Sequence, residues 1–252
     1  MKRLLLSAIE ALGYVLVRRQ DILDNMYPAD VADEDRQILD RVSSYTMTSV
    51  ERQLALIQAV RHLARSGIQG CFVECGVWKG GSSMAAALTL LQEGESNRHL
   101  YLYDTFEGMT PPQAVDRTYG GYTAAGLLEK DRDKSSDVWA LAGLDEVRAN
   151  MATTGYPTQY IHYIKGSVEE TLPAQLPPAP IALLRLDTDW YESTRHELIH
   201  LFPLLCEGGI LNIDDYGHWE GARKAVDEYM AALLKRYYLH RIDYSGRLLV
   251  KY

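Results

Sequence analysis

From residue 71 onward, short apolar runs alternate with stretches of helical periodicity. Residues 71–73, 100–103, 160–164, 181–184 and 209–213 read as strands, and 82–91, about 137–151, a short piece near Glu169, 191–205 and 219–235 read as helices. Such alternation predicts an α/β fold: a mostly parallel sheet with crossover helices. Two final apolar runs, 239–244 and 248–252, flank Ser245-Gly246. A two-residue turn between them predicts a terminal antiparallel hairpin. Residues 33–45 and 49–65 read as two preceding helices, the second opened by a Ser49 cap and closed by Gly67. The chain thus divides into a helical extension, 1–66, and one domain, 67–252. Only 105–136 is long and poor in periodic apolar residues; it reads as a loop that is either a lid, tipped by Tyr119-Gly120-Gly121-Tyr122, or an oligomer contact.

At the start, Leu5, Ile9, Leu12 and Leu16 recur at spacings of four, three and four. That is an amphipathic helix, packed on the domain or on a second subunit, so a homo-oligomer is expected. Lys2 and Arg3 before Leu4-Leu5-Leu6 superficially resemble a signal peptide, but Glu10 interrupts the run and the stretch is too short to span a bilayer. Membrane contact is not expected. Three cysteines among 252 residues make neither a disulfide framework nor a zinc pattern, and a cytoplasmic setting follows as the default. With 34 acidic and 26 basic residues the net charge is −8, which disfavours nucleic acid and welcomes a cation.

Open parallel sheets bind ligands beyond the carboxyl ends of their strands. Each well-defined strand end here carries a carboxylate: Glu74, Asp104, Asp187 with Asp189, and Asp214 with Asp215. After the first strand, Gly76, Gly80 and Gly81 lead to Ser82 and Ser83. The spacing is neither the dinucleotide fingerprint nor a P-loop, and Glu74 would repel a phosphate. A cationic ligand suits it better. S-adenosylmethionine has an ammonium, a sulfonium and a ribose whose hydroxyls suit Asp104, thirty residues beyond Glu74 and so one strand-helix-strand unit away.

If their strands are neighbours, Asp187, Asp214 and Asp215 converge, and three clustered carboxylates require a cation or protons. Oxygen-only ligands suit Mg²⁺ or Mn²⁺ rather than zinc. Such an ion could bind adjacent substrate hydroxyls and lower the pKa of one, leaving Asp189 to take the proton as general base. The competing reading makes these acids helix caps. A second competitor is His196-Glu197-Leu198-Ile199-His200, a literal H-E-x-x-H that on a helix can serve a zinc hydrolase. Its place in a crossover helix argues instead for ordinary surface histidines. A third possibility is a non-catalytic assembly protein on the same fold.

Three segments, Phe72-Val73-Glu74-Cys75-Gly76-Val77-Trp78-Lys79-Gly80-Gly81, Asp104-Thr105-Phe106-Glu107-Gly108 and Arg185-Leu186-Asp187-Thr188-Asp189, resemble the macrocin (TylF-type) O-methyltransferase family. So do Pro203, Gly208-Gly209 and Ile213-Asp214-Asp215-Tyr216-Gly217. The resemblance covers about 45–226 and implies a Rossmann-like class I methyltransferase fold with a seven-stranded sheet. It further implies S-adenosylmethionine as donor, a divalent metal, and a sugar hydroxyl on a natural product as acceptor. By the same resemblance Thr46-Met47-Thr48-Ser49 closes over the donor's methionine end. The donor site would comprise Met47, Thr48, Glu74, Gly76, Gly80, Ser82, Ser83, Asp104, Ser167 and Asp187; Asp187, Asp214 and Asp215 would hold the metal, and Asp189 would be the base. Thr188 departs from the Gly that antibiotic-modifying members carry, and the first forty residues and 119–136 depart as well.

Overall fold

A computed structural model describes residues 27–134, 137–178 and 180–252. The amphipathic pattern of Leu5, Ile9, Leu12 and Leu16 lies outside the described residues. Residues 1–37 and 38–252 are two compact units. The described part of the first leads into helix α1 (Asp33–Val42), whose opening turn carries Asp33, Glu34 and Asp35, the charge sign a helix N-terminus favours.

The second unit is a three-layer α/β structure. Helix α2 (Val50–Arg65) begins where the Ser49 hydroxyl accepts the Arg52 N–H and ends at Ser66, followed by Gly67 at φ 65°. Then come β1 (Cys71–Cys75), α3 (Gly81–Gln92), β2 (Leu100–Asp104), α4 (Ala124–Lys130), α5 (Leu144–Ala152) and β3 (Ile161–Lys165). The chain continues through α6 (Val168–Thr171), β4 (Ile181–Leu186), α7 (Tyr191–Leu201), β5 (Leu205–Ile213), α8 (Glu220–Ala232), β6 (His240–Arg241) and β7 (Arg247–Val250). The sheet order is β3-β2-β1-β4-β5-β7-β6, parallel except for the antiparallel β5-β7 and β7-β6 pairs.

Order reverses between β1 and β4, so crossovers to either side leave helices on both faces. Helix α2 packs on α3, while α7 packs on α6 and α8. The two central strands, β1 and β4, are buried at every position, which is why they read as continuous apolar runs rather than alternating ones. Val73, Cys75, Leu184, Leu186, Leu198, Leu211 and Val226 belong to the main core.

The structure departs from the expected elements in three places. The helix expected at 137–151 is broken into a single 3₁₀ turn (Asp137–Trp139) and α5, because Ala140 takes φ 42° and Gly143 opens the next helix in extended conformation. The segment 105–136 is not structureless. Helix α4, capped by Thr123, lies within it, and Asp116 is fully buried with its carboxylate accepting N–H bonds from Gln113 and Tyr191 at 2.6 and 2.9 Å. Apolar Leu128 and Ala124 pack with Trp190 and Trp219 beneath it. The terminal hairpin turns through Asp243-Tyr244-Ser245 rather than Ser245-Gly246: Ile242 N–H bonds the Gly246 carbonyl, and Asp243 Oδ1 accepts the Ser245 and Gly246 N–H groups at 2.8 and 2.6 Å. An aspartate satisfying its own turn replaces the two-residue solution.

Close backbone approach fixes the mouth between β1 and β4. Gly76 sits at φ 81°, and an added Cβ would collide with the Asp187 carbonyl oxygen. Gly76→Ala is therefore expected to destabilise the protein by about 2–4 kcal/mol, combining steric overlap with left-handed strain. Urea denaturation monitored by fluorescence checks this; an unchanged midpoint would show that the two strand ends can separate freely.

Candidate active site

A cavity of about 430 Å³ opens at the carboxyl ends of the parallel strands. On one side, the turn after β1 runs through Gly76 and Trp78, both at positive φ, into α3. Asp104, at the end of β2, organises that turn: Oδ2 accepts the Val77 and Trp78 N–H groups at 2.6 and 3.2 Å, and Oδ1 accepts Phe106 N–H at 2.6 Å. Burial pushes this carboxyl up, against those N–H bonds. The segment before α2 lies over the same turn, with Gly81 N–H bonded to the Tyr45 carbonyl at 3.0 Å. Gln53 ties the two together, donating to Thr46 Oγ1, Thr48 Oγ1 and Ser82 Oγ.

On the other side lie the acids of β4 and β5. Register aligns Glu74 with Arg185 and Arg185 with Asn212 across β1, β4 and β5. The buried guanidinium of Arg185 bonds Glu74 Oε1 at 2.8 Å, Asp187 Oδ2 at 2.7 Å and Asp214 Oδ1 at 2.7 Å. Burial opposes its charge, but Asp187, Asp214 and Glu74 hold its pKa well above the ordinary range. Glu74 is itself raised by burial despite Arg185 and the hydroxyl of Ser83, which donates to its second oxygen. A second arginine, Arg52 from α2, pairs with Asp214 Oδ2 and, at 3.1 Å, with Asp243. The Ser245 hydroxyl bonds the Asp214 carbonyl at 2.6 Å, so the hairpin turn braces the end of β5.

Carboxylate oxygens of Asp187, Asp214 and Asp215 lie within 4.8 Å of one another, the one group of three or more candidate ligands among the described residues. Burial raises Asp187 and Asp215 well above the usual carboxylate range, with the neighbouring acids adding to the effect. Asp189 sits beside them at φ 68°, near Asp215 and Trp219, and is pushed up to about 7 by burial first and then by Asp187.

Of the residues expected at a donor site, Met47, Thr48, Glu74, Gly76, Ser82, Asp104, Ser167 and Asp187 line this cavity, as do Asp189, Asp214 and Asp215. Gly80 and Ser83 do not: Gly80 opens α3, and Ser83 faces β1. Glu74 and Asp104 spend most of their hydrogen-bonding capacity on Arg185, Ser83 and backbone N–H groups, so both are also structural. His196 and His200 are set apart from the cavity on α7, where His196 bonds the Leu172 carbonyl at 3.0 Å, and Glu197 between them is fully buried. Sequence reasoning missed Arg185 and Arg52 as partners of the acids. A lone arginine inside an apolar strand was the available signal, since a buried charge requires a counter-charge.

A seven-stranded sheet with an antiparallel terminal hairpin and a carboxylate-lined cavity at its parallel strand ends defines a Rossmann-like class I methyltransferase. Residues 3–251 match the macrocin-O-methyltransferase (TylF) family, and the chain belongs to it. It is 34% identical over 190 residues to the 8-demethyl-8-(2,3-dimethoxy-alpha-L-rhamnosyl)-tetracenomycin-C 4'-O-methyltransferase of Streptomyces olivaceus, covering 74% of this chain and 67% of that one. To the demethyldecarbamoylnovobiocin O-methyltransferase of Streptomyces niveus it is 29% identical, over 82% of this chain and 75% of that one. The solved O-methyltransferase NovP superposes with a TM-score of 0.71 at 29% identity, covering 82% of each chain. The protein is an O-methyltransferase with S-adenosylmethionine as its donor.

Arg185→Met leaves the buried Glu74 and Asp214 and the half-buried Asp187 without their shared partner. Near neutral pH the loss of stability is expected to be about 3–5 kcal/mol. Carboxyls whose folded-state pKa is raised contribute stability at low pH and lose it as pH rises through that pKa, so the deficit of the variant should shrink on acidification. Denaturation curves across pH check this; a deficit independent of pH would show that these acids are not what Arg185 neutralises.

Proposed function

We propose that this enzyme methylates a hydroxyl of a sugar or of a glycosylated small molecule, assisted by a divalent ion held by Asp187, Asp214 and Asp215, with Asp189 as general base. The observation that carries the reading is the close oxygen-only group of three carboxylates with Asp189 at its side. The name of the tetracenomycin relative specifies a rhamnosyl substrate, which supports a sugar acceptor.

The donor set fits such an ion. Among the described residues, Glu74, Asp187, Asp189, Asp214 and Asp215 have ion pairs only with Arg52 and Arg185, leaving a surplus of negative charge that a hard dication suits. Without it, burial first and then the neighbouring acids push the Asp189 and Asp215 carboxyls up, toward their protonated forms. Mg²⁺ or Mn²⁺ bound there would lower the pKa of an acceptor hydroxyl. S-adenosylmethionine supplies the electrophilic methyl.

The chain's own residues do the rest. Asp189, which lines the cavity with Trp219 and Asp215, receives the hydroxyl proton. Met47 and Thr48 wall the cavity on the α2 side, and His218 and Tyr244 also line it, their side chains 3.2 Å apart. Burial and nearby Arg52 lower the His218 pKa, so it lines the cavity as a neutral imidazole. Holding both reactants against one sheet edge is a source of rate through proximity.

A methyl-transfer screen with labelled S-adenosylmethionine and Mg²⁺ against sugar-bearing metabolites tests the reading; no labelled product from any glycoside would count against it. Asp189→Asn is expected to lower turnover about 10²–10⁴-fold while donor affinity measured by calorimetry stays unchanged. Chelator should abolish turnover and Mg²⁺ restore it; indifference to chelator would remove the ion from the reaction.

A further inference from the structure

The turn that carries Asp189 is built in an unusual way. Trp190 N–H bonds the Thr188 carbonyl at 2.8 Å across a single residue, Asp189, at φ 68°. A γ-turn of this left-handed kind is rare and strained, and such conformations persist only where the surroundings over-determine them. Both restraints come from α7. The Ser193 hydroxyl reaches the Thr188 carbonyl at 3.3 Å, and the Thr188 hydroxyl donates to Glu197 Oε1 at 2.9 Å.

Glu197 is an expensive way to fill that position. It is fully buried, its Oε2 has no hydrogen-bond partner among the described residues, and Cys75 lies beside it. Its neighbours on α7, Leu198 and Leu201, belong to the apolar core, so packing alone would be served by another aliphatic side chain. Among the described residues, the side-chain hydrogen bond it makes goes to the residue between Asp187 and Asp189.

We propose that Glu197 is a positioning residue for methyl transfer: through Thr188 it clamps the Asp187–Asp189 turn in the strained conformation that turns Asp189 toward Asp215 and Trp219. Burial holds the Glu197 carboxyl well above its ordinary range, so it does this as a neutral acid, and its charge is not required. The role in catalysis rests on the function proposed above; the clamp itself does not.

Two measurements separate these. Hydrogen–deuterium exchange of the full chain reads the turn directly, with no acceptor needed. Thr188→Val and Glu197→Leu should each speed exchange in the peptide spanning 187–191 about tenfold, the effect of losing one buried hydrogen bond. Glu197→Gln keeps a neutral acceptor for Thr188 and should exchange as the wild type does. Calorimetric affinity for S-adenosylmethionine should be unchanged in all three, which also certifies their folding. With an acceptor from the screen, Thr188→Val and Glu197→Leu should lose kcat about tenfold with the KM for the donor unaltered, and Glu197→Gln should restore it. Exchange at 187–191 unaffected by Thr188→Val would overturn the clamp. Faster exchange with wild-type kcat would overturn the positioning role. A wild type that transfers no methyl group would instead count against the proposed function and leave the exchange result to decide the clamp.

Discussion

One guanidinium, that of Arg185, is buried between the carboxyl ends of three parallel strands and holds a carboxylate from each: Glu74 from β1, Asp187 beyond β4 and Asp214 beyond β5. The energetic yield of such a network is small, because desolvating four ionic groups cancels most of their attraction. Its consequence is geometric. Three strand ends cannot slip relative to one another without leaving a buried charge unpaired, so the acids lining the cavity are held in one arrangement. Arg52 extends the network to α2 and, through Asp243, to the terminal hairpin. The apparently peripheral elements before and after the sheet thereby take part in shaping the site.

Two arginines do not balance the acids they hold. Asp215 and Asp189 have no ion pair among the described residues, and burial pushes both carboxyls up, toward their protonated forms. A site that resolves excess negative charge by protonation can equally resolve it with a cation, and S-adenosylmethionine is itself a cation at sulfur and nitrogen. The −8 formal charge of the chain is in this sense partly local: Glu74, Asp104, Asp187, Asp189, Asp214 and Asp215 all line one cavity.

The sheet was legible in the sequence because β1 and β4 are buried on both faces and open with the apolar runs 71–73 and 181–184, and because acids stood at the strand ends where open sheets place ligands. Ser49 and Gly67 marked the ends of α2 through capping chemistry that is local in sequence. What depended on partners distant in the chain was not legible. Asp243 and Arg52 are 191 positions apart, and Glu74 and Arg185 are 111 apart, so no local pattern announces either pair. Helix α4 was missed because its seven residues are too few to establish a period, and the hairpin turn because Asp243 outcompetes a two-residue solution. The H-E-x-x-H match was set aside for its place in a crossover helix, and there Glu197 is buried toward Thr188, so the helix that carries it braces the turn below.

Binding of Mn²⁺ to the purified chain, counted by electron paramagnetic resonance in the presence of S-adenosylmethionine, tests the carboxylate group most directly. One ion per chain in the wild type, lost when Asp187, Asp214 or Asp215 is replaced by Asn, is the predicted result. No tightly bound ion, or one that survives all three replacements, would contradict the assignment of these carboxylates as the metal site.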